Sequence, residues 1–209
     1  MNNETTNTEV NGNEAETAES NEKLLELVKA VYHNGMVALK SQFEHVEGQV
    51  LHQPVYGPVF VYQVKDEAND GYVCGFFLRE LVAKFQSGNN PAMWMASFFY
   101  ELMKTKGGKQ MQKPPANEDE AKAIIDKILV PHCIEAVREE FAPEQVHAGL
   151  DWHKDHGPVF ETGFPQFKDG NNVCAVPLHL LLTHYLLNRD PSEILLQGLY
   201  KIREEHGVN

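Results

Sequence analysis

Apolar residues settle into helical spacing from Leu24 onward: Leu24, Leu27, Val28 and Val31, then Met36, Leu39 and Phe43 beyond Asn34-Gly35. The spacing predicts a helix, with the Asn-Gly pair read as a break in it. Residues 49–77 change to an extended pattern. Val55, Val59, Val61, Tyr62 and Val64 precede a polar turn stretch from Lys65 to Gly71, and Tyr72 to Phe77 follow it. This predicts a β-hairpin or short strand pair. Helical period returns with Phe77, Leu78, Leu81, Val82 and Phe85 and stops at Ser87-Gly88-Asn89. Asn90-Pro91 then opens another helix, with Asn as N-cap and Pro at the first helical position.

The second half runs in the same order. Ile124, Ile125, Ile128 and Leu129 form an apolar face, Pro131 kinks or ends it, and Ile134, Val137 and Phe141 resume. Gly157-Pro158-Val159-Phe160 comes next, then a turn at Asp169-Gly170-Asn171-Asn172 and a strand at Val173-Cys174. Leu178, Leu181, Leu182 and Tyr185 make a helix after Pro177, and Asp190-Pro191-Ser192-Glu193 caps a last amphipathic helix.

The two halves share more than order. The word GPVF stands at residues 57–60 and again at 157–160. At the same offset of 100 the pairs Val73/Val173, Cys74/Cys174, Leu78/Leu178, Leu81/Leu181 and Pro91/Pro191 are identical. Upstream the offset becomes 98, pairing Ala38 with Ala136 and Phe43 with Phe141. The expected architecture is therefore α+β: a tandem duplication of a small helix–strand–strand–helix–helix unit, packed with pseudo-twofold symmetry. The expected divisions are a disordered acidic and polar tail at 1–22, a first repeat at 23–103, a linker at 104–121 and a second repeat at 122–209, both repeats forming one globular domain. A further expectation is that the helix from Pro91 crosses the helix from Pro191, with Phe98 over Gly198.

Composition narrows the function classes. The 209 residues suffice for one sizeable core or two small ones. A formal net charge of -12 favours solubility and argues against binding bare nucleic acid or an anionic membrane surface. No apolar run is long enough to span a bilayer, and the start lacks the pattern of a signal peptide. Cys74, Cys133 and Cys174 form no C-x-x-C pair, which fits a reducing cytoplasm.

Candidate chemistry is sparse. Residues shared by both halves read as scaffold, and Cys74 and Cys174 as small hydrophobes. GGKQ, at 107–110, lacks the upstream Gly and following Ser or Thr of a phosphate loop. Function is sought where the halves differ. One difference is HAGLDWHKDHGPVF, with His147, Asp151, His153, Asp155 and His156. In an extended chain Asp151, His153 and Asp155 share a face and, with His156, are the candidate ligands for a divalent transition metal or a general base. His179 and His184, five apart, diverge around a helix. The other difference is the helix of residues 91–103, apolar nearly all round, whose Met93, Trp94 and Phe98 are candidate interface residues.

The leading expectation is a cytoplasmic, non-enzymatic binding or regulatory protein. It would recognise a protein partner, or a second copy as a homodimer, through the inter-repeat cleft or the aromatic helix. The alternatives are a metal-dependent or acid/base enzyme centred on residues 147–156, and a small-molecule carrier or sensor with an apolar inter-repeat cavity.

Overall fold

The computed structural model of the chain describes residues 10–65, 71–105, 107–167 and 172–208, with side chains from Ser20 onward. The backbone gathers into two compact units, Met1–Lys109 and Gln110–Asn209. Each combines helices with a three-stranded antiparallel sheet, an α+β arrangement.

The first unit runs α1 (Val10–Lys40), β1 (His45–Gln53), β2 (Gly57–Lys65), β3 (Gly71–Phe77), α2 (Leu78–Gln86) and α3 (Pro91–Thr105). β2 is the middle strand, with Gln53 opposite Gly57 on one side and Val59 opposite Phe77 on the other. Alternation along β2 sends Phe60, Tyr62 and Val64 into one core. There they meet Phe76 of β3, Leu39 of α1, and Met95, Phe98 and Phe99 of α3. The ring of Phe98 stands edge-on to Phe76 at 5.6 Å and to Trp94 at 5.1 Å.

Three expectations for this half are corrected. The sheet has three strands rather than a strand pair. β1 escapes notice because only Val46 in it is buried, so its outer positions carry no apolar alternation. Asn34-Gly35 is not a break, for α1 is continuous to Lys40. A Cβ on Gly35 would run into the Tyr62 hydroxyl, so glycine here permits helix and sheet to approach closely. The stretch expected as a disordered tail is helical from Val10, and residues 1–9 lie outside the described residues. Ala and Glu favour helix there although no apolar face is available.

The second unit runs α4 (Glu118–Ile124), a π-helical turn (Ile125–Leu129), α5 (Val130–Glu140), β4 (His147–His153), β5 (Gly157–Gly163), β6 (Val173–Pro177), α6 (Leu178–Leu186) and α7 (Ser192–Glu205). The Asn117 side chain caps α4 by accepting from the Glu120 backbone N–H at 2.9 Å. The π turn falls just before Pro131, which has no N–H to give to a regular helix. The connection between units is shorter than the expected 104–121, because α3 reaches Thr105 and α4 begins at Glu118. Phe160 and Val176 of the sheet pack with Val137 and Phe141 and with Leu195, Leu199 and Ile202 of α7.

From the first strand on, the elements of this unit follow the order of the first. Gly57 and Gly157, which open the shared GPVF, sit at φ +73° and +70° as each chain leaves a three-residue turn. That is a backbone region glycine enters without penalty. Gly198 has a different reason from the one expected of it. The position its Cβ would take is filled by the Cys174 Sγ of β6, so it lets α7 lie close on its own sheet.

Candidate functional site

Where α1, α2 and α3 meet, the first unit leaves an open groove of about 500 Å³. Leu27, Val31 and Ala38 of α1 form one wall. Leu81, Val82 and Phe85 of α2 form the other, and Pro91 and Met95 of α3 close the end. Its polar groups are few: Asn34, Gln86 and Asn90. The Asn90 side chain is engaged in accepting from the Ala92 backbone N–H at 2.9 Å, capping α3 as the sequence predicts.

Apolar surface continues past the groove. Every residue of α1 from Ser20 to Leu27 is exposed, Leu24 and Leu25 among them. Phe85, expected to be a core position of its helix, is 74% exposed on the rim, and Met93 is also exposed.

Positions at the two sequence offsets behave differently in the second unit. Ala30, Val31 and Gly35 correspond to Ile128, Leu129 and Cys133, and Gln86 to Leu186. Leu129 and Cys133 are fully buried. Asn34 and Asn90 correspond to His132 and Asp190. His132 Nε2 and Asp190 Oδ1 lie 2.8 Å apart, and the same oxygen accepts from Ser192 N–H at 2.8 Å and Ser192 Oγ at 2.7 Å. Burial pushes the Asp190 carboxyl up, but hydrogen bonds from His132 and Ser192 outweigh it and hold the group below the usual carboxylate range. This latch joins α5 to the start of α7. Ile128 is exposed, so the sequence difference that points to the groove is half-buried Val31 against larger, fully buried Leu129; the latch partners, 58 residues apart, carry no such signal.

The predicted metal ligands do not gather. β4 ends at His153, so Asp155 and His156 lie in the turn and leave the alternation that would align Asp155 with Asp151. Asp151 accepts from the Trp152 backbone N–H at 2.7 Å, and His153 Nδ1 from the Asp155 N–H at 3.2 Å. The rings of His153 and His156 stack at 4.7 Å, while His147 stands 3.6 Å from Glu161. Among the described residues no three His, Cys, Asp or Glu side chains converge as a metal ligand set.

The cysteines are placed as packing groups. Cys74 is buried in the first core. Burial, assisted by the Asp190 charge, pushes the Cys133 thiol up to about 12, and burial alone raises Cys174. Of the candidate interface residues, Phe98 belongs to the core. Trp94 is half-buried between Phe76 and Phe98 with Lys84 Nζ over its ring at 5.3 Å, and Met93 alone is exposed. No described helix is long and apolar enough to cross a membrane. Comparison of the chain with models of known protein families, with curated proteins and with solved structures finds no match.

Proposed function

We propose that this chain is a non-enzymatic binding protein that recognises a protein partner by taking an amphipathic helix of that partner into the groove of its first unit. The reading is carried by the length of the groove along α1. Leu27, Val31 and Ala38, which line it from one face of the helix, span about 16 Å, the reach of a peptide helix rather than of a compact small molecule. Met95 at the end of the groove suits an adaptable apolar contact. In this reading the two units are copies of one ancestral unit, the second with its groove filled and latched and the first left open for a partner. Three cysteines, none in a C-x-x-C pair, suit a cytoplasmic setting.

Selection of binders from a library of helical peptides tests the proposal. The selected peptides should carry large apolar residues at i, i+3, i+4 and i+7, and Ala38→Trp, which fills the groove, should weaken their binding about tenfold or more. Peptides without that spacing, or binding indifferent to Ala38→Trp, would refute it.

A second reading is a carrier of an apolar small molecule, favoured by a groove volume within the usual range of ligand pockets. A fluorescent fatty acid that saturates at one per chain and is displaced by Ala38→Trp, with no helical peptide selected, would favour it.

A further inference from the structure

We infer that the partner helix carries, within its apolar stripe, one side chain with a carboxylate or carboxamide oxygen that accepts hydrogen bonds from Asn34 and Asn90. This specificity rests on the groove being a helix-docking site and names the chemistry that its occupant must bring.

Asn34, Gln86 and Asn90 are exposed in an otherwise apolar lining. Asn34 stands on α1 between Val31 and Ala38, within the wall that a docked helix would cover. Docking takes water away from its amide, and an amide buried without a partner offsets much of what the apolar contact gains. A polar side chain over this point avoids that cost, and the hydrogen bonds already made decide its kind. Asn90 Oδ1 accepts from the Ala92 N–H at 2.9 Å, so the group Asn90 has left to offer is its NH2, which only donates. Asn34 can donate or accept. An acceptor is therefore the one group that serves both. The second unit shows the same demand met from within. At the same sequence offsets it has His132 and Asp190, and the Asp190 carboxylate is the acceptor, 2.8 Å from His132 Nε2. In the first unit an amide stands at each position, and an oxygen brought by the partner takes the place of that carboxylate. Lysine and arginine, with donors alone, cannot fill it. One polar contact in an apolar seam also fixes the register of the docked helix, as a single asparagine does in a coiled coil.

Helical peptides selected on the full chain provide the test. Those that Ala38→Trp weakens should keep Asp, Glu, Asn or Gln at one fixed place in their apolar stripe. Replacing that residue by Leu should weaken binding to the wild type about tenfold. Asn34→Leu should weaken the parent peptide by a similar factor, yet bind the Leu-substituted peptide at least as tightly as the wild type binds it. General damage to the groove would not produce that reversal. Calorimetric titration of both peptides into both proteins measures the coupling between the two positions. A Lys in place of the polar residue should bind worse than Leu to either protein. Peptides sensitive to Ala38→Trp but with an uninterrupted apolar stripe overturn the inference and leave the groove's assignment standing, and so do effects of the two substitutions that simply add. Failure to select any helical peptide overturns both.

Discussion

At Gly198 a single methyl group would be felt at once, because the position it would occupy is held by the Cys174 sulfur. Gly198→Ala should therefore destabilise the second unit despite the better helix propensity of alanine, by about 1–3 kcal/mol, as overpacking does. Adding Cys174→Ala removes the sulfur and should recover most of that loss; chemical denaturation of the two single variants and the double variant measures the coupling. Additive losses would show that the contact is not the cause. Gly35 obeys the same rule against Tyr62, yet in the sequence its pairing with Asn34 resembles a turn. Local composition cannot distinguish a glycine that bends the chain from one that lets a helix lie close to a sheet, because the deciding neighbour is distant in sequence.

The helices show which element-scale features sequence carries well. Asn90 does cap α3, Asp190 does accept from Ser192, and α2, α3, α6 and α7 form where the 3.6-residue period places them. Edge strand β1 carries little period-two signal because it is exposed, and the segment expected as a tail is helical from Val10 because helix propensity acts without an apolar face. The Asp190 latch gives an element-scale test with a definite sign. The folded-state carboxyl lies below its ordinary value, so its stabilisation is present above the unfolded pKa of about 3.9 and fades as pH falls through the lower folded one. Asp190→Asn should be less stable than wild type at neutral pH by no more than about 1 kcal/mol, given how exposed the pair is. Thermal melts should show that deficit closing below about pH 4; a deficit that stays constant down to pH 2.5 would assign the effect to packing. Deleting residues 1–19 tests α1 in turn. From Ser20 to Leu27 every residue is exposed, so the melting temperature of the monomer should hardly change.

For the molecule as a whole, a net charge of -12 favours solubility, while the groove that carries the proposed function is lined almost entirely by apolar groups. Peptide binding there should accordingly vary little between low and high salt and show a negative heat-capacity change by calorimetry. A steep salt dependence would point to a charged surface instead. The mixed class was legible from alternating periodicities, but the groove was not. It is a volume left between three helices, visible in sequence only by comparing the sizes of residues one unit apart. The hairpin of residues 147–163 is rich in histidine, and its turn disperses the ligands that a straight strand would align. Each unit also owns a single tryptophan: Trp94 half-buried among Phe76, Phe98 and Lys84, and Trp152 72% exposed on the β4–β5 hairpin. The chain is thereby optically labelled in two colours. Emission from Trp152 should be red-shifted and readily quenched by iodide, that from Trp94 bluer and shielded. With Trp152→Phe in place, the melting of the first unit can be followed by its own light.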